Sequence, residues 1–596
     1  MKHFSFLRKY WPFYILIILL GLAYSLLESL GIAFIFPILE GVQKTTTTSL
    51  AFPFNLVSDL FKGMDIATRL QITAMLLVSI VLVKAFVLFM NTVLSAWLQM
   101  VVTKYFRMLC FNQLMCLGMG YFNSHKAADF QIICNVYTTN LGALFNLIGT
   151  SLPRIFTMIV LLIILFMLSW KMTLVSLVLI MLASLALHPI SQKADSVGKL
   201  VNSTQKNLNA LLLDIIRGMK TIRIFSREEG ALNSLEKKVD DYNSACFKAV
   251  KIRGVVGPIF ESIAAICLAV IMLVGSVMFI GYGGDGVASL LVFILVLHRL
   301  LGPAMFLNQT RVALRVDWPF YREVFDFLKV DDKESIRNGN KIFSGLQNKI
   351  EFCGATFGYN PKESMVIRDV SLIIPKGTRI GIVGFSGAGK STLTELIMRF
   401  YDPQKGKILI DGIDLRDLDV YSWRRKIGVV SQDLFLFNET LRTNITFAKP
   451  DVSQEEVVDA ANKAHIHSFI ETLPNKYETL VGDRGVLLSG GQRQRIGIAR
   501  AMITKPEILI FDEATSSLDS ESEKIVQQAI EEIGQGRTVI TIAHRLSTVS
   551  SCDIIFVMEA GNIIEQGAHS VLLEVNGVYK RLVQTQELGV SSARPK

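Results

Sequence analysis

Long apolar runs alternate with polar stretches up to about residue 310, and the remainder of the chain has the pattern of a charged globular domain. A helix that crosses a bilayer needs about 20 mostly apolar residues. Six stretches meet this length, at residues 11–39, 70–102, 143–168, 172–190, 256–282 and 287–309. The pattern therefore predicts a membrane bundle of six helices, followed by a water-facing domain.

The links between these spans alternate in charge. Those after the first, third and fifth spans carry few cations, whereas Lys193–Arg253, in the link after the fourth, is rich in Lys and Arg. Because cytoplasmic loops carry the excess of cations, both termini are predicted to be cytoplasmic. The membrane is expected to be a bacterial inner membrane. The run after Met1–Lys9 is too long for a signal peptide and lacks a cleavage site of small residues, so it is predicted to be retained.

The polar stretches 103–140 and 191–255 contain few helix breakers, so the spans are expected to continue as helices into the cytoplasm. Short segments near Ala127–Thr138 and Asp214–Phe225 would lie at their tips. The predicted organisation is a transmembrane domain at 1–328, a linker at 329–348, a globular domain at 349–585 and a flexible tail at 586–596.

Composition and charge exclude several classes of partner and site. The chain has 596 residues, 51% of them hydrophobic, with a formal net charge of +10 and a mean hydropathy of +0.43. No basic stripe with interleaved aromatic residues occurs, so nucleic acid is not an expected partner. The seven cysteines are scattered without a CxxC spacing, which indicates a reducing compartment and neither a disulfide framework nor a zinc site.

A glycine-rich loop follows an apolar strand pattern in RIGIVGFSGAGKST, and a helix pattern follows the loop. Glycines let backbone N–H groups converge on phosphates, the lysine of this motif reaches the β- and γ-phosphates, and the next hydroxyl binds Mg²⁺. The motif predicts ATP and Mg²⁺ as cofactors. The expected binding residues are Gly384, Phe385, Ser386, Gly387, Ala388, Gly389, Lys390, Ser391 and Thr392, with Ser391 also on the metal.

Two carboxylates end another apolar run, Ile508–Phe511, whose hydrophobicity is typical of a central parallel strand. Ligands bind at the carboxyl ends of such strands. Asp512 is therefore predicted to bind Mg²⁺, and Glu513 to polarise the attacking water. His544 also follows a β-branched run, although a lone histidine is more often structural. Gln432 is, by itself, an ordinary polar residue.

A second glycine pair occurs in LLSGGQRQRIGIAR, where Ser–Gly–Gly precedes a run of helix formers. This is the outline of a phosphate-binding helix N-terminus, although the chain already has a phosphate loop. LSGGQ, Leu488–Gln492, resembles the signature of the ATP-binding cassette family. With six spans before it, the whole chain resembles an exporter-type half-transporter. The resemblance implies a membrane α-helical bundle joined to an α/β P-loop ATPase cassette.

The resemblance also implies a role for each motif. Tyr359, which could otherwise cap a small core, stacks on adenine. Gln432 senses the γ-phosphate and Mg²⁺, Glu513 is the catalytic carboxylate, and His544 holds the γ-phosphate. Asp483, in a GDRG segment that resembles the loop touching the cytoplasmic helix tips, stands where Glu is commoner.

The resemblance also explains why one ATP site would need two glycine-rich segments. The resemblance implies that the signature of one chain closes over the γ-phosphate held by the P-loop of a second, so that ATP lies between two subunits. The expected partner is a second copy, or a paralogous half-transporter. The residues implied on this second face are Ser489, Gly490, Gly491 and Gln492, together with Ser517, Leu518 and Asp519 in the loop that crosses the dimer.

Ionisable residues inside apolar spans are functional candidates. Glu28, Lys84, Glu261 and Arg299 fall within the predicted spans. With a rise of ~1.5 Å per residue, Lys84 and Arg299 lie at similar depths of roughly 21 Å and 18 Å. They are predicted to contact an anionic head group such as a lipid phosphate; alternatively, either one pairs with Glu28 or Glu261.

The expected function is an ATPase that exports or flips an amphipathic substrate by alternating access. A lipid or lipid-linked glycan is favoured, because the chain looks somewhat like lipid-linked oligosaccharide flippases and polysaccharide-export cassettes. A multidrug or peptide exporter is the alternative. In a different class stand an ATP-gated channel or regulatory protein, which could dispense with Glu513, and a membrane-anchored kinase, in which the signature would have no role.

Overall fold

The computed structural model describes residues 5–34, 66–280, 285–329, 336–360, 364–512, 519–543 and 548–587. The chain divides into two compact units. The first comprises Met1–Cys116 with Phe122–Lys333, and the second comprises Leu117–Tyr121 with Glu334–Lys596.

The membrane unit is helical throughout its described part. The helices described before residue 329 are α1 (Ser5–Ala33), α2 (Ile66–Cys116), α3 (Met119–Ser124), α4 (Ala127–Gln131), α5 (Thr138–Leu168), α6 (Trp170–Ala186), α7 (His188–Arg217), α8 (Met219–Ile224), α9 (Glu228–Ile280) and α10 (Asp285–Leu328), with a π-helix at Ile132–Tyr137. The first residues of α3, up to Tyr121, belong to the second unit.

Within the described residues, six helical segments are long and apolar enough to cross a membrane, which confirms the six predicted spans. They are Arg8–Gly31, Ala67–Cys116, Ala127–Leu168, Trp170–Arg217, Glu228–Ser276 and Leu290–Leu328. The expectation that the second to fifth spans continue beyond a bilayer thickness also holds: α2 alone has 51 residues and α9 has 53.

One tip lies earlier in the chain than expected. The break after α2 spans residues 117–126, with a short helix inside it, whereas 127–138 is helical and leads directly into α5. Glycines at 118 and 120 lower helix propensity there by about 1 kcal/mol each relative to alanine. The second break falls at 218–227, overlapping the expected segment.

Small residues bring the spans together. A Cβ built on Gly142 would overlap Thr103, and one on Gly149 would overlap Ser95, so α5 lies against α2 at a distance that only glycine permits. Helices in lipid associate through such close packing because apolar burial gives no driving force between them. Helix α5 also packs against α1 and α10.

The second unit is built on two sheets. Its strands are β1 (Lys349–Phe357), β2 (Ile367–Pro375), β3 (Arg379–Gly384), β4 (Lys405–Ile410), β5 (Ile413–Asp414), β6 (Ile427–Val430), β7 (Ile508–Asp512), β8 (Thr538–Ile542), β9 (Ile554–Glu559) and β10 (Asn562–Gly567). An antiparallel sheet has the order β2-β1-β4-β5, and a six-stranded sheet has the order β10-β9-β3-β8-β7-β6. Pairs from β9 to β6 are parallel.

Helices pack on these sheets and divide the interior into separate cores. They are α11 (Lys390–Ile397), α12 (Val420–Arg424), α13 (Leu441–Thr446), α14 (Gln454–Lys463), α15 (His467–Thr472), α16 (Gly490–Met502), α17 (Ser520–Ile533), α18 (His569–Glu574) and α19 (Val578–Glu587). Helix α11 shares a core with β1, β2 and β4. Helices α13 to α17 form another core on the opposite side of β7, whose alternate residues belong to the two cores.

The second half of the predicted linker is bound to the second unit before β1 begins. The Lys341 N–H donates to Asp417 O at 3.0 Å, and the Asp419 N–H donates back to Lys341 O at 2.7 Å. The guanidinium of Arg399, only 1% exposed, donates to the carbonyls of Arg337 and Leu418. Residues 337–343 therefore form a strap that is fixed by backbone hydrogen bonds.

Candidate functional site

The parallel strands deliver the candidate residues to one edge of the sheet. Ile382 of β3 pairs with Ile542 of β8, which pairs with Asp512 at the end of β7. The glycine-rich loop, the segment that starts at 543, and Asp512 therefore leave the sheet at the same level. Strand β6 ends beside β7, which brings Gln432 to this edge as well.

The loop between β3 and α11 has the conformation that its glycines permit. Gly389 precedes α11 with a φ of +102°, and a Cβ on Gly384 would overlap the carbonyl of Met558. The ammonium of buried Lys390 donates to Gly384 O at 2.9 Å and to Phe385 O at 3.1 Å. These bonds hold the positive charge against the loop, at the N-terminus of α11, where anions are stabilised.

The other loop residues leave the N-terminus of α11 accessible. A Cβ on Gly387 would meet nothing within 4 Å, and the side chain of Ser391 is exposed. Thr392 is buried and lies 2.9 Å, oxygen to oxygen, from the hydroxyl of Tyr359. The sequence motif thus folds as predicted, while the Thr392 side chain is engaged by a tyrosine.

The predicted metal ligands are hard oxygen donors. The exposed hydroxyl of Ser391 and the half-buried carboxylate of Asp512 are the kind of donor that Mg²⁺ accepts, since it is bound by one or two carboxylates together with substrate phosphates. No cluster of three His, Cys, Asp or Glu side chains occurs within the described ranges. The donor set therefore fits a metal held jointly with a nucleotide rather than an all-protein metal site.

Two predicted catalytic residues, Glu513 and His544, lie outside the described residues, as do Ser517 and Leu518. The third, Gln432, has an exposed side chain and lines a cleft of about 460 Å³ that also contains Gly490.

The signature begins a well-capped helix. Ser489 Oγ accepts from the N–H of Gln492 at 3.2 Å, and Gln492 Oε1 accepts from the N–H of Ser489 at 2.9 Å. This capping box fixes the entry into α16 and satisfies two backbone donors. Sequence reasoning predicted a helix N-terminus here, but gave Gln492 no part in forming it.

Close packing against α17 requires a glycine at position 491. A Cβ at this position would lie 2.8 Å from both Cβ and Oγ of Ser522, on the first turn of α17. Asp519 caps that same helix by accepting from the Ser522 N–H at 3.1 Å, and the pKa of its carboxyl is lowered chiefly by this bond. The signature and Asp519 are therefore joined through Ser522.

Tyr359, the predicted adenine contact, lies beside α11 and is 46% exposed. Its hydroxyl donates to Glu395 Oε2 at 2.5 Å. Burial and then this carboxylate raise the pKa of the phenol, so it stays protonated and can act as donor. Sequence reasoning missed Glu395, although its spacing from Thr392 places both on one face of a helix.

The charged residues of the spans converge on one carboxylate. Lys84 Nζ lies 2.5 Å from Glu28 Oε2, and Arg299 NH1 lies 3.1 Å from Glu28 Oε1. The side chains of Glu28, Lys84 and Arg299 are 12%, 23% and 52% exposed, respectively. The two cations therefore meet, as their depths predicted, but through the pairing with Glu28 that was the alternative. Glu261 is exposed, and no ion pair joins it to these groups within the described spans.

Comparisons with known proteins agree with this architecture. Residues 11–304 match the family described as the ABC transporter transmembrane region, and residues 367–516 match the ABC transporter family. The chain is 37% identical over 479 residues, 80% of its length, to the heterocyst differentiation ATP-binding protein HepA of Nostoc sp., covering 78% of that protein.

Two further relatives and a solved structure extend over nearly the whole chain. The ATP-dependent lipid A-core flippase of Syntrophus aciditrophicus is 32% identical over 91% of this chain and 90% of its own length. The protein of the same name from Salmonella typhimurium is 31% identical over 92% and 94%. The structure of a bacterial Atm1-family ABC exporter with ATP bound superposes with a TM-score of 0.82 at 26% identity, over 98% of this chain and 100% of that one.

The fold and the loop after β3 define a P-loop ATPase cassette joined to a six-span membrane unit. The chain belongs to the ABC transporter family and has the architecture of an exporter half-transporter. It is an integral, multi-pass membrane protein that binds ATP in its cassette and couples ATP hydrolysis to transport. The half-transporter architecture implies a dimer.

Proposed function

We propose that two copies of this chain form a transporter that uses ATP to flip or export an amphipathic substrate with an anionic head group. A lipid or lipid-linked glycan is the favoured substrate. Similarity to lipid A-core flippases over more than nine-tenths of the chain supports the transport class. The cations gathered at Glu28 carry the proposal for the substrate.

The charge balance of this cluster favours an anion. One carboxylate faces two cations, so Glu28, Lys84 and Arg299 together keep a formal charge of +1 within the apolar spans. Arg299 is half exposed and makes the longer contact, so its guanidinium can form additional hydrogen bonds. A phosphate or pyrophosphate would supply the missing negative charge and accept charge-assisted hydrogen bonds.

The nucleotide roles form the second part of the proposal. Tyr359 stacks on adenine, and the loop from Gly384 to Thr392 holds the phosphates. Mg²⁺ would be held by Ser391, Gln432 and Asp512, and when bound it neutralises charge on the transferred phosphoryl group. Glu513 orients the attacking water and His544 binds the γ-phosphate.

A second subunit completes this site. Ser489, Gly490, Gly491, Gln492 and Asp519 of one copy face the P-loop of the other across a two-fold axis. Because each chain carries both segments, a homodimer would hold two complete sites. Nucleotide bound between the subunits favours their closed arrangement by its higher affinity for that state, and hydrolysis removes the bias.

The domain limits and topology belong to the same proposal. The transmembrane domain covers 1–328, the linker 329–348, the cassette 349–585 and the tail 586–596. Both termini lie in the cytoplasm, and the membrane is the bacterial inner membrane.

The ATPase part is tested on purified protein in lipid vesicles. Glu513→Gln should abolish hydrolysis and retain ATP binding. The control is Glu521→Gln, the same chemical change on the exposed first turn of α17, which should retain both hydrolysis and ATP binding. The active species should be a dimer by mass. Full hydrolysis by a single subunit would overturn the shared site, and undiminished hydrolysis by Glu513→Gln would overturn the catalytic role of Glu513.

The substrate part is tested by stimulation of ATP hydrolysis and by a leaflet-exchange assay with fluorescent lipids that carry a phosphate, a pyrophosphate or an uncharged head group. Each lost charge-assisted contact is worth about 1.5–3 kcal/mol, roughly tenfold or more in affinity. Lys84→Ala with Arg299→Ala loses two such contacts and should weaken the response to the anionic lipids roughly 150-fold or more. Lys171→Ala, at a link predicted to be extracellular, is the control. An unchanged response, or equal response to uncharged amphiphiles, would contradict the anionic substrate and favour a multidrug exporter.

A further inference from the structure

The ring of Tyr359 is fixed at its hydroxyl by the helix that carries the P-loop lysine. Its oxygen lies 2.9 Å from Thr392 Oγ1 and 2.5 Å from Glu395 Oε2. Both partners belong to α11, which begins at Lys390. The far end of the tyrosine is therefore tied to the same rigid element that presents its N-terminus to the phosphates.

The ring is also confined from the side. Phe357 and Tyr401 pack near-perpendicular to it, with centroids at 5.2 Å and 5.3 Å and interplanar angles of 81° and 87°. Such edge-to-face pairs stabilise one ring orientation. The exposed 46% of the side chain is what remains for a ligand.

The backbone before the tyrosine is held by a third contact. The Gln404 side chain donates through Nε2 to Gly358 O at 2.8 Å and accepts through Oε1 from the Gly358 N–H at 3.2 Å. A side-chain amide that satisfies both groups of one peptide position acts like a strand neighbour. It fixes the backbone from which Tyr359 projects.

We propose that Glu395 and Gln404 are positioning residues for nucleotide binding. They hold the Tyr359 ring at a set distance from the phosphate-binding end of α11, so that the adenine and phosphate subsites are fixed relative to each other before ATP arrives. The inference rests on the proposed adenine contact of Tyr359. A ring ordered in advance loses less conformational freedom on binding, which raises affinity without any new contact to the ligand.

This arrangement predicts that changes at Glu395 and Gln404 affect ATP binding and leave the hydrolysis step largely unchanged. Glu395 and Gln404 act on the base through Tyr359, and neither is placed among the groups that surround the γ-phosphate. Removing a hydrogen bond to the ring should therefore raise the KM for ATP and change kcat little. One lost hydrogen bond is worth about 0.5–1.5 kcal/mol, so the expected increase in KM is about 2- to 12-fold.

The test compares Glu395→Leu, which removes the acceptor, with Glu395→Gln, which keeps an oxygen that accepts from the phenol. The KM and kcat of ATP hydrolysis and the affinities for ATP and for tripolyphosphate, which has no base, are measured on the full-length protein in lipid. Glu395→Leu should weaken ATP binding and leave tripolyphosphate binding unchanged, and Glu395→Gln should restore most of the loss. Gln404→Leu should behave like Glu395→Leu.

Tyr359→Ala separates the possible failures. If Tyr359→Ala weakens ATP but Glu395→Leu does not, the positioning role is wrong while the adenine contact stands. If Tyr359→Ala itself leaves ATP affinity unchanged, the adenine contact fails and the positioning role fails with it. In the Tyr359→Ala background, Glu395→Leu should have no further effect, because it acts only through the ring. Equal losses for ATP and tripolyphosphate would indicate a general disturbance of α11 and overturn the proposal.

Discussion

The packing of Gly491 against Ser522 allows the sign of the stability change caused by Gly491→Ala to be predicted. Replacing Gly491 by alanine places a Cβ 2.8 Å from Cβ and Oγ of Ser522, whereas ordinary contact begins at 3.4 Å. The first turns of α16 and α17 must separate by about 0.6 Å, the difference between these distances. Overpacking of this kind costs about 1–3 kcal/mol.

Alanine also has a gain that partly offsets this cost. Its helix propensity exceeds that of glycine by up to about 1 kcal/mol, although less at a helix end. Ser522→Gly removes both atoms that Gly491→Ala would meet. Gly491→Ala should therefore lower the thermal midpoint in the wild-type background and leave it unchanged or raise it in the Ser522→Gly background. The coupling of about 1–3 kcal/mol between the two changes measures the clash alone.

The assay is thermal unfolding of the four proteins in one detergent, with ATP hydrolysis measured in parallel. If Gly491 also faces the phosphate of a second subunit, hydrolysis should remain low in the double variant even where stability is restored. Recovery of both would assign Gly491 to packing only. A midpoint that falls equally in the two backgrounds would refute the reasoning from packing.

Three other changes test other contacts. Asp411 accepts from three backbone N–H groups at the start of β1. Burial opposes ionisation of its carboxyl, but these bonds lower its pKa. The ionised carboxylate therefore stabilises the folded protein above the ordinary Asp pKa of about 3.9, and this stabilisation is lost as the pH falls through the folded pKa. The midpoints of wild type and Asp411→Asn should therefore converge on acidification, and a constant difference would contradict this. Glu28→Gln leaves two cations without their carboxylate and should lower the thermal midpoint. Adding Lys84→Met should restore most of the loss, and a further loss in the double variant would refute the pairing. Arg399→Lys removes donors from the strap at 337–343, so hydrogen exchange at the Lys341 amide should accelerate, and unchanged exchange would show that the strap does not depend on the guanidinium.

Local patterns made the nucleotide loop predictable. A strand, a glycine-rich turn and a helix are adjacent in sequence, so Gly384, Gly389 and Lys390 could be placed from spacing alone. The six spans were predictable for a similar reason, because each has to be apolar over its own length. The tip after α2 was predicted near 127–138, whereas the helix breaks at 117–126. The helical periodicity of the polar stretch continues through both of these segments and does not mark the break.

The sequence could not decide which distant segments contact each other, and it left the pairing of Lys84 or Arg299 with Glu28 or Glu261 open. The rise per residue placed Lys84 and Arg299 at one depth, but only the packing of α1 beside α2 brings Glu28 between them. The bond from Tyr359 to Glu395 likewise depends on how β1 lies against α11. In each case residue type suggested a role, and tertiary structure decided the partner.

The signature serine can serve its own helix and a nucleotide at the same time. As the cap of α16, Ser489 Oγ uses a lone pair to accept from the Gln492 N–H, and the capping box makes no use of its O–H. A phosphate oxygen needs a donor, which this hydroxyl can supply. Ser489→Asp keeps a good N-cap but replaces the donor by a negative charge. Thermal stability should therefore stay within about 0.5 kcal/mol of wild type, as is usual when a good cap replaces another, while ATP hydrolysis falls sharply. Ser489→Ala should lower both, because it removes the cap and the donor together. Retained hydrolysis in Ser489→Asp would show that the serine only caps its helix, and the phosphate of the second subunit would have to be bound by backbone N–H groups alone.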